Sequence, residues 1–172
     1  MTTTACTVTI ETSMGTIKAE LWPDKAPATV SNFLAYANEQ FYDGLVFHRV
    51  INHFMIQGGG YAPDMRYKRP THPPVKNEAR SDTPNKRGTL AMARTPVVDS
   101  ATSQFFINHV DNGPLNHRGN SDEEFGYCVF GLVTDGLDVV DAIAKVATGN
   151  AAGQHDVPVE PVVIKSIRCV KP

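Results

Sequence analysis

Cysteine is scarce in this chain, tryptophan occurs once, and no stretch of 18 apolar residues is present. Each lack excludes something. Without such an apolar run there is no candidate membrane-spanning helix. The three cysteines, Cys6, Cys128 and Cys169, are odd in number, far apart and without a Cys-x-x-Cys pair. A disulfide framework and a thiolate metal site are therefore not expected; reduced thiols in a cytoplasmic protein are. A charge surplus is missing too. Sixteen Lys and Arg against 18 Asp and Glu leave a formal net charge of −2, too little to draw in nucleic acid or an anionic membrane. The first residues, Met1 to Thr7, lack the basic start and apolar stretch of a secretory signal.

Several chemistries are also missing. There is no Gly-x-Ser-x-Gly elbow, no phosphate loop ending in Lys-Ser/Thr and no His-Glu-x-x-His. No paired carboxylates flank an apolar slot. Of the six histidines, His48 and His53 are five apart, and His72, His109, His117 and His155 fall in Pro-, Asn- or Gly-rich stretches, so no metal site is expected. An enzyme built from this inventory has to work by binding and electrostatics, without covalent catalysis, metal or cofactor.

What is present is mostly short strands. Thr7–Thr12 and Thr16–Leu21 alternate on either side of Met14-Gly15 and predict a hairpin. Asp24 is a candidate N-cap for a helix with Pro27 in its first turn and a stripe of Val30, Phe33, Leu34 and Ala37. A second helix is expected over Gly136–Ala147, with Leu137, Val140, Ile143 and Ala144 as its stripe. Further strands are expected near Leu45–Ile51, Met55–Gln57, Gly88–Arg94, Gln104–Asn108, Tyr127–Val133 and Val162–Val170, with at most one helical turn at Ser100–Ser103. Gly58–Arg87 reads as a long loop whose basic residues are solvated, and Asn112–Gly126 as a second loop. Helices and strands do not alternate, so a closed antiparallel barrel fits better than a parallel sheet. Neither a domain boundary nor a repeat interrupts residues 1–172, and no exposed apolar stripe calls for obligate association, so a monomer is expected.

The most informative stretch is Phe47 to Gly60. Counting by twos, Leu45, Phe47, Arg49 and Ile51 share one face of a strand; Met55 and Gln57 share a face of the next, with Phe54 and Ile56 on the other. Arg49 and Gln57 among aromatic and thioether side chains suggest a mostly dry groove with a few fixed polar groups. The plainer alternative is an Arg whose stem lies along the surface. Gln104 and Phe106 share a face in the same way.

In order along the chain, Phe47-His48-Arg49 with Phe54-Met55-x-Gln57-Gly58-Gly59, then Gly88-x-Leu90-x-Met92-Ala93, Ser103-Gln104-Phe105-Phe106-Ile107 and Val129-Phe130-Gly131 resemble the cyclophilin family of peptidyl-prolyl cis–trans isomerases. Gly126 to Gly131 resembles the bacterial cytoplasmic type. The resemblance implies a mainly β fold, an eight-stranded antiparallel barrel capped by two helices, with the proline pocket on its outer face. It implies that Arg49 is catalytic, that Phe54, Met55, Phe106 and Leu115 line the pocket, and that Gln57 orients Arg49 and the peptide. Ala93, Arg94 and Gln104 then lie along the substrate backbone, Arg94 acting mainly through its main chain. The implied partners are proline-containing peptides and folding proteins.

Two positions depart from the family pattern. Pro114 stands where a Trp is familiar and Tyr127 where a His is familiar, while the sole Trp, Trp22, is placed in an early strand. The indole is a main cyclosporin anchor in relatives that have it, so weak cyclosporin binding is expected. Two further readings stay open: a proline-peptide binding module or holdase without turnover, and a barrel carrying a small apolar ligand inside.

Overall fold

The computed structural model describes residues 6–170, so the segment inspected for a signal lies largely outside the described residues. The first hairpin, β1 (Cys6–Thr12) and β2 (Gly15–Leu21), pairs in full register from Cys6 opposite Leu21 to Thr12 opposite Gly15. Helix α1 (Pro27–Asn38) follows, then β3 (Arg49–Ile51), β4 (Met55–Gly58), β5 (Thr89–Met92), β6 (Phe105–Asn108), a 3₁₀ turn at Gly113–Leu115, β7 (Val129–Asp135) and α2 (Leu137–Ala144). A hairpin of β8 (Thr148–Ala151) and β9 (Gln154–Pro158) precedes β10 (Ile164–Val170).

Eight strands form one antiparallel sheet in the order β10-β1-β2-β7-β5-β6-β4-β3. The expectation of a closed barrel needs a small correction, because among the described residues no ladder joins β3 to β10. The curled sheet is bridged there by the single pair Val46 and Val163 and by bonds such as Phe47 N–H to the Val162 carbonyl, 3.0 Å. Among the described residues, no helix is long and apolar enough to cross a membrane.

Side-chain alternation gives the sheet two apolar faces. Inside lie Val8, Ile10, Ile17, Leu90, Phe105, Ile107, Phe130 and Ile167, with Phe33 of α1 stacked among the rings of Tyr42, Phe105 and Phe130 at 5.1–5.4 Å. Outside, Met55, Ala91, Phe106 and Val129 make a second, separate cluster, with Trp22, Phe54, Leu115 and Tyr127 packed on it. The interior is filled by side chains, which leaves the outer cluster as the place where something can bind.

Several local expectations are overturned. Leu45 and Phe47 do not share a face with Arg49: both lie in the interior cluster with Val50, whereas Arg49 is exposed. The regular strand begins only at Arg49, and the irregular backbone at 47–48 shifts the alternation by one residue. Phe54 sits in the turn before β4 and joins Met55 on the outer cluster, while Ile56 points inward. Trp22 lies just past β2, its N–H bonded to the Phe130 carbonyl at 2.8 Å. Residues 100–103, given at most one helical turn, form none, as that bound allows; Ala101 bridges to Val75 of the long loop. The second helix stops at Ala144, and the chain turns through Ala152 (φ 50°) and Gly153 (φ 77°) into a hairpin that exposed Thr-Gly-Asn-Ala did not announce.

Nor is Asp24 the cap of α1. Ala26 takes that position without a side-chain bond. The free N–H groups of the first turn are met from 50 residues away: Glu78 of the long loop accepts from Thr29 N–H and Thr29 Oγ1, both 2.7 Å, and from Ala28 N–H, 3.3 Å. A carboxylate at a helix N-terminus satisfies orphan donors and complements the dipole. Glu78→Ala is therefore expected to cost about 1–2 kcal/mol of stability. An unchanged urea midpoint would show that the loop does not cap the helix.

Candidate active site

β3, β4, β6, β5 and β7 set one row of residues across the outer face. Arg49 is opposite Gln57, Gln57 opposite Phe106, Phe106 opposite Ala91, and Ala91 opposite Val129. Register alone thus brings residues 80 positions apart into one line. The row floors a hollow of about 120 Å³ lined by Arg49, Phe54, Met55, Gln57, Ala93, Arg94, Phe106, Leu115 and Tyr127. That is well below the roughly 300–1,000 Å³ of a site for a drug-sized molecule, so it suits a small ring.

Of the ten residues singled out from the sequence, nine line this hollow. The tenth, Gln104, lines an adjoining groove of about 280 Å³ that shares Gln57, Ala93 and Arg94 with it. Met55 and Phe106 are buried, while Phe54, Leu115 and Tyr127 are half-buried walls. The rings of Phe106 and Tyr127 meet edge to face at 5.7 Å.

Arg49 stands on the rim. Its side chain is exposed, and among the described residues its guanidinium has no hydrogen-bond partner, so its donors are free. This departs from the expectation of a dry groove around it: Met55 and Phe106 on the floor are buried, whereas the arginine at the lip is exposed. Gln57 does not bond Arg49 either. Its Nε2 donates to Gln104 Oε1 at 3.1 Å, fixing both amides side by side. Gly60 makes room for that pair, since a Cβ there would lie 2.7 Å from the Gln104 side chain.

Arg94 does more than lend its main chain. Its Nε donates to the Gly126 carbonyl at 2.9 Å, its Nη1 to Thr95 at 2.9 Å and its Nη2 to Asp122 at 2.9 Å, and the guanidinium lies 5.0 Å from the Tyr127 ring centre. One side chain therefore ties the loop after β5 to the loop before β7 and stacks on a wall of the hollow. The sequence carried no signal for this, because carbonyl acceptors leave no side-chain pattern.

Just behind the rim, His48 is 3% exposed, its ring 4.5 Å from that of Tyr61 and its Nδ1 without a partner among the described residues. Burial, reinforced by the neighbouring Arg49 charge, pushes its pKa down to about 4. His48 is neutral wherever the protein works near pH 7. Among the described residues, no group of three His, Cys, Asp or Glu is placed to hold a metal ion.

These features agree with what the chain resembles. Residues 7–169 match the family model described as cyclophilin type peptidyl-prolyl cis-trans isomerase. Peptidyl-prolyl cis-trans isomerase B of Escherichia coli is 56% identical over 160 residues, spanning 93% of this chain and 97% of that protein. A Streptomyces antibioticus peptidyl-prolyl cis-trans isomerase is 54% identical over 162 residues, spanning 94% and 97%. Among solved structures, a Cryptosporidium parvum cyclophilin-type isomerase in the presence of the dipeptide Ala-Pro superposes with a TM-score of 0.82 at 26% identity, covering 96% of this chain and 99% of that one. With an outer-face hollow of this kind and matches along nearly its whole length, the chain belongs to the cyclophilin-type peptidyl-prolyl cis–trans isomerase family.

Proposed function

We propose that this protein accelerates rotation about X–Pro bonds in peptides and folding proteins, that Arg49 is its catalytic residue, and that residues 1–172 act as one isomerase unit. The observation that carries this reading is a guanidinium, exposed and without a partner among the described residues, at the lip of a small apolar hollow. A proline ring fits against Met55, Phe106 and Leu115, with Phe54 and Tyr127 at its sides. The peptide backbone runs past Gln57, Ala93, Arg94 and Gln104.

Unaided rotation is slow, with a barrier near 20 kcal/mol, because twisting the amide gives up resonance. Twisting also localises the lone pair on the proline nitrogen. Arg49 can donate to that nitrogen when it is twisted and gains little from it when flat, which is the differential binding that speeds a step. The bound peptide covers the exposed guanidinium and strengthens the bond by removing water. The test is a cis–trans exchange measurement by NMR on an Ala-Pro peptide. Exchange no faster with protein than without it would reject the reading. It would favour instead a binding module, the alternative that Arg49's exposure in the free protein supports.

The same reading places the protein in the cytoplasm as a monomer, with Cys128 a buried thiol and Cys6 and Cys169, far apart in sequence, facing each other as unbridged thiols at 2.9 Å. It also predicts weak cyclosporin binding, because exposed Pro114 and half-buried Tyr127 offer no indole or imidazole beside the hollow. Titration should give an affinity far weaker than nanomolar; a nanomolar value would contradict it.

A further inference from the structure

Three asparagines that no expectation singled out lie behind the hollow, and their side chains are almost wholly enclosed: Asn108 is 0%, Asn85 1% and Asn112 7% exposed. Each comes from a different piece of chain, Asn85 from the end of the long loop, Asn108 from the end of β6 and Asn112 from the start of the 3₁₀ turn. Their amides bond in series. Asn112 Nδ2 donates to Asn108 Oδ1 and to the Phe54 carbonyl, both 2.8 Å. Asn108 Nδ2 donates to Asn85 Oδ1 at 3.0 Å and to Thr89 Oγ1 at 2.9 Å. Asn85 Nδ2 donates to the Leu115 carbonyl at 3.1 Å and approaches the Tyr127 carbonyl and Asn116 Oδ1 at 3.4 Å.

The two ends of this series are what give it meaning. Phe54, Leu115 and Tyr127 are three walls of the hollow, and the main-chain oxygen of each is held by an asparagine amide. Backbone bonds close the same circuit: His109 N–H to Phe54, Asn112 N–H to Asn85, Leu115 N–H to Asn112 and Tyr127 N–H to Leu115, at 2.7–3.0 Å. A buried polar network with its donors satisfied is stiff, and it is expensive to break at any one point, because each lost partner strands another group.

We propose that Asn85, Asn108 and Asn112 form one positioning unit that fixes the spacing of the pocket walls and so sets affinity for the proline ring, without setting the rate of rotation. Arg49 is outside the unit, held by its strand pairing with Gln57. A variant of the unit therefore loosens the walls and leaves the donor where it is. This rests on the isomerase reading above and adds to it which residues govern substrate affinity.

The experiment compares wild type with Asn112→Leu, Asn108→Leu and the double variant, reading kcat and KM on an Ala-Pro peptide well below the unfolding temperature of each. In parallel, Ala-Pro dipeptide is titrated into labelled wild-type protein and the side-chain amide signals of Asn85, Asn108 and Asn112 are followed by NMR. The expected result is a KM raised about tenfold with kcat within about twofold, the signature of lost uniform binding. The double variant should be no worse than the poorer single variant, because one unit breaks only once. The amide signals should shift on titration. A merely structural role would lower the unfolding temperature and leave KM alone, which overturns the proposal; so do losses that multiply in the double variant, or amide signals that ignore the dipeptide. Should Asn108→Leu fail to fold, Asn112→Leu, nearer the rim, decides the matter by its KM. Wild-type protein that neither binds nor turns over the peptide would overturn the isomerase reading on which both stand.

Discussion

Replacing Arg49 by Ala is expected to lower kcat/KM by about 10²–10³ and to leave the fold in place. One preorganised donor directed at developing charge is worth roughly 3–4 kcal/mol, and each 1.4 kcal/mol is a factor of ten. An acceleration of about 10⁵ needs about 7 kcal/mol, so Arg49 supplies around half and the hollow and peptide-backbone contacts supply the rest. The loss should fall on kcat, since the interaction is strong only in the twisted amide. Stability should hold, because the side chain is exposed and bonds to nothing among the described residues. Arg49→Lys should recover only part of the loss, a compact ammonium lacking the fork of donors. An NMR exchange measurement with a circular dichroism melt separates the outcomes: near-wild-type turnover in a folded Ala variant would remove Arg49 from the mechanism.

The second large effect is acid sensitivity centred on His48. Its pKa in the fold is about 4, below the usual 6.5, so the folded state refuses a proton that the unfolded chain accepts. Between pH 6.5 and 4 the unfolded state binds more protons, and stability falls as pH falls. Above pH 6.5 both states hold a neutral imidazole and the group contributes nothing; below about 4 both are charged and the loss is complete. The full span is on the order of 3 kcal/mol. His48→Phe keeps the stacking on Tyr61 and removes both the titration and the unpartnered nitrogen. Urea unfolding at pH 7 and pH 4 should show wild type losing about 3 kcal/mol more than the variant. Equal losses would mean that His48 is hydrated in solution.

Much of the architecture was legible because alternation is strong where one strand face meets the core, as in Thr7–Thr12 and Thr16–Leu21. Nine of the ten residues singled out converge on one hollow: six travel in family motifs on or beside strands of the outer row, and Arg94, Leu115 and Tyr127 stand on the loops and turn that flank it. Periodicity alone put Phe47 on the wrong face, since it could not foresee that the backbone is irregular until Arg49. It also passed over Glu78, the side-chain bonds of Arg94 and the asparagines. A polar side chain that bonds main-chain groups far along the chain looks, in sequence, like any loop residue. Asn108 ends a strand and Asn85 follows Pro84 in a loop, and only the fold makes them neighbours.

The sheet also works as a partition. Leu90, Phe105, Ile107 and Phe130 on its inner side line no part of the outer hollow, and Ala91 and Phe106 of the outer row belong to a cluster apart from the inner core. Specificity can then drift on one side while foldability is kept on the other. A library randomised at the outer positions alone should yield mostly well-folded proteins with altered appetites for peptide, whereas the same diversity introduced one residue along each strand should yield mostly aggregates.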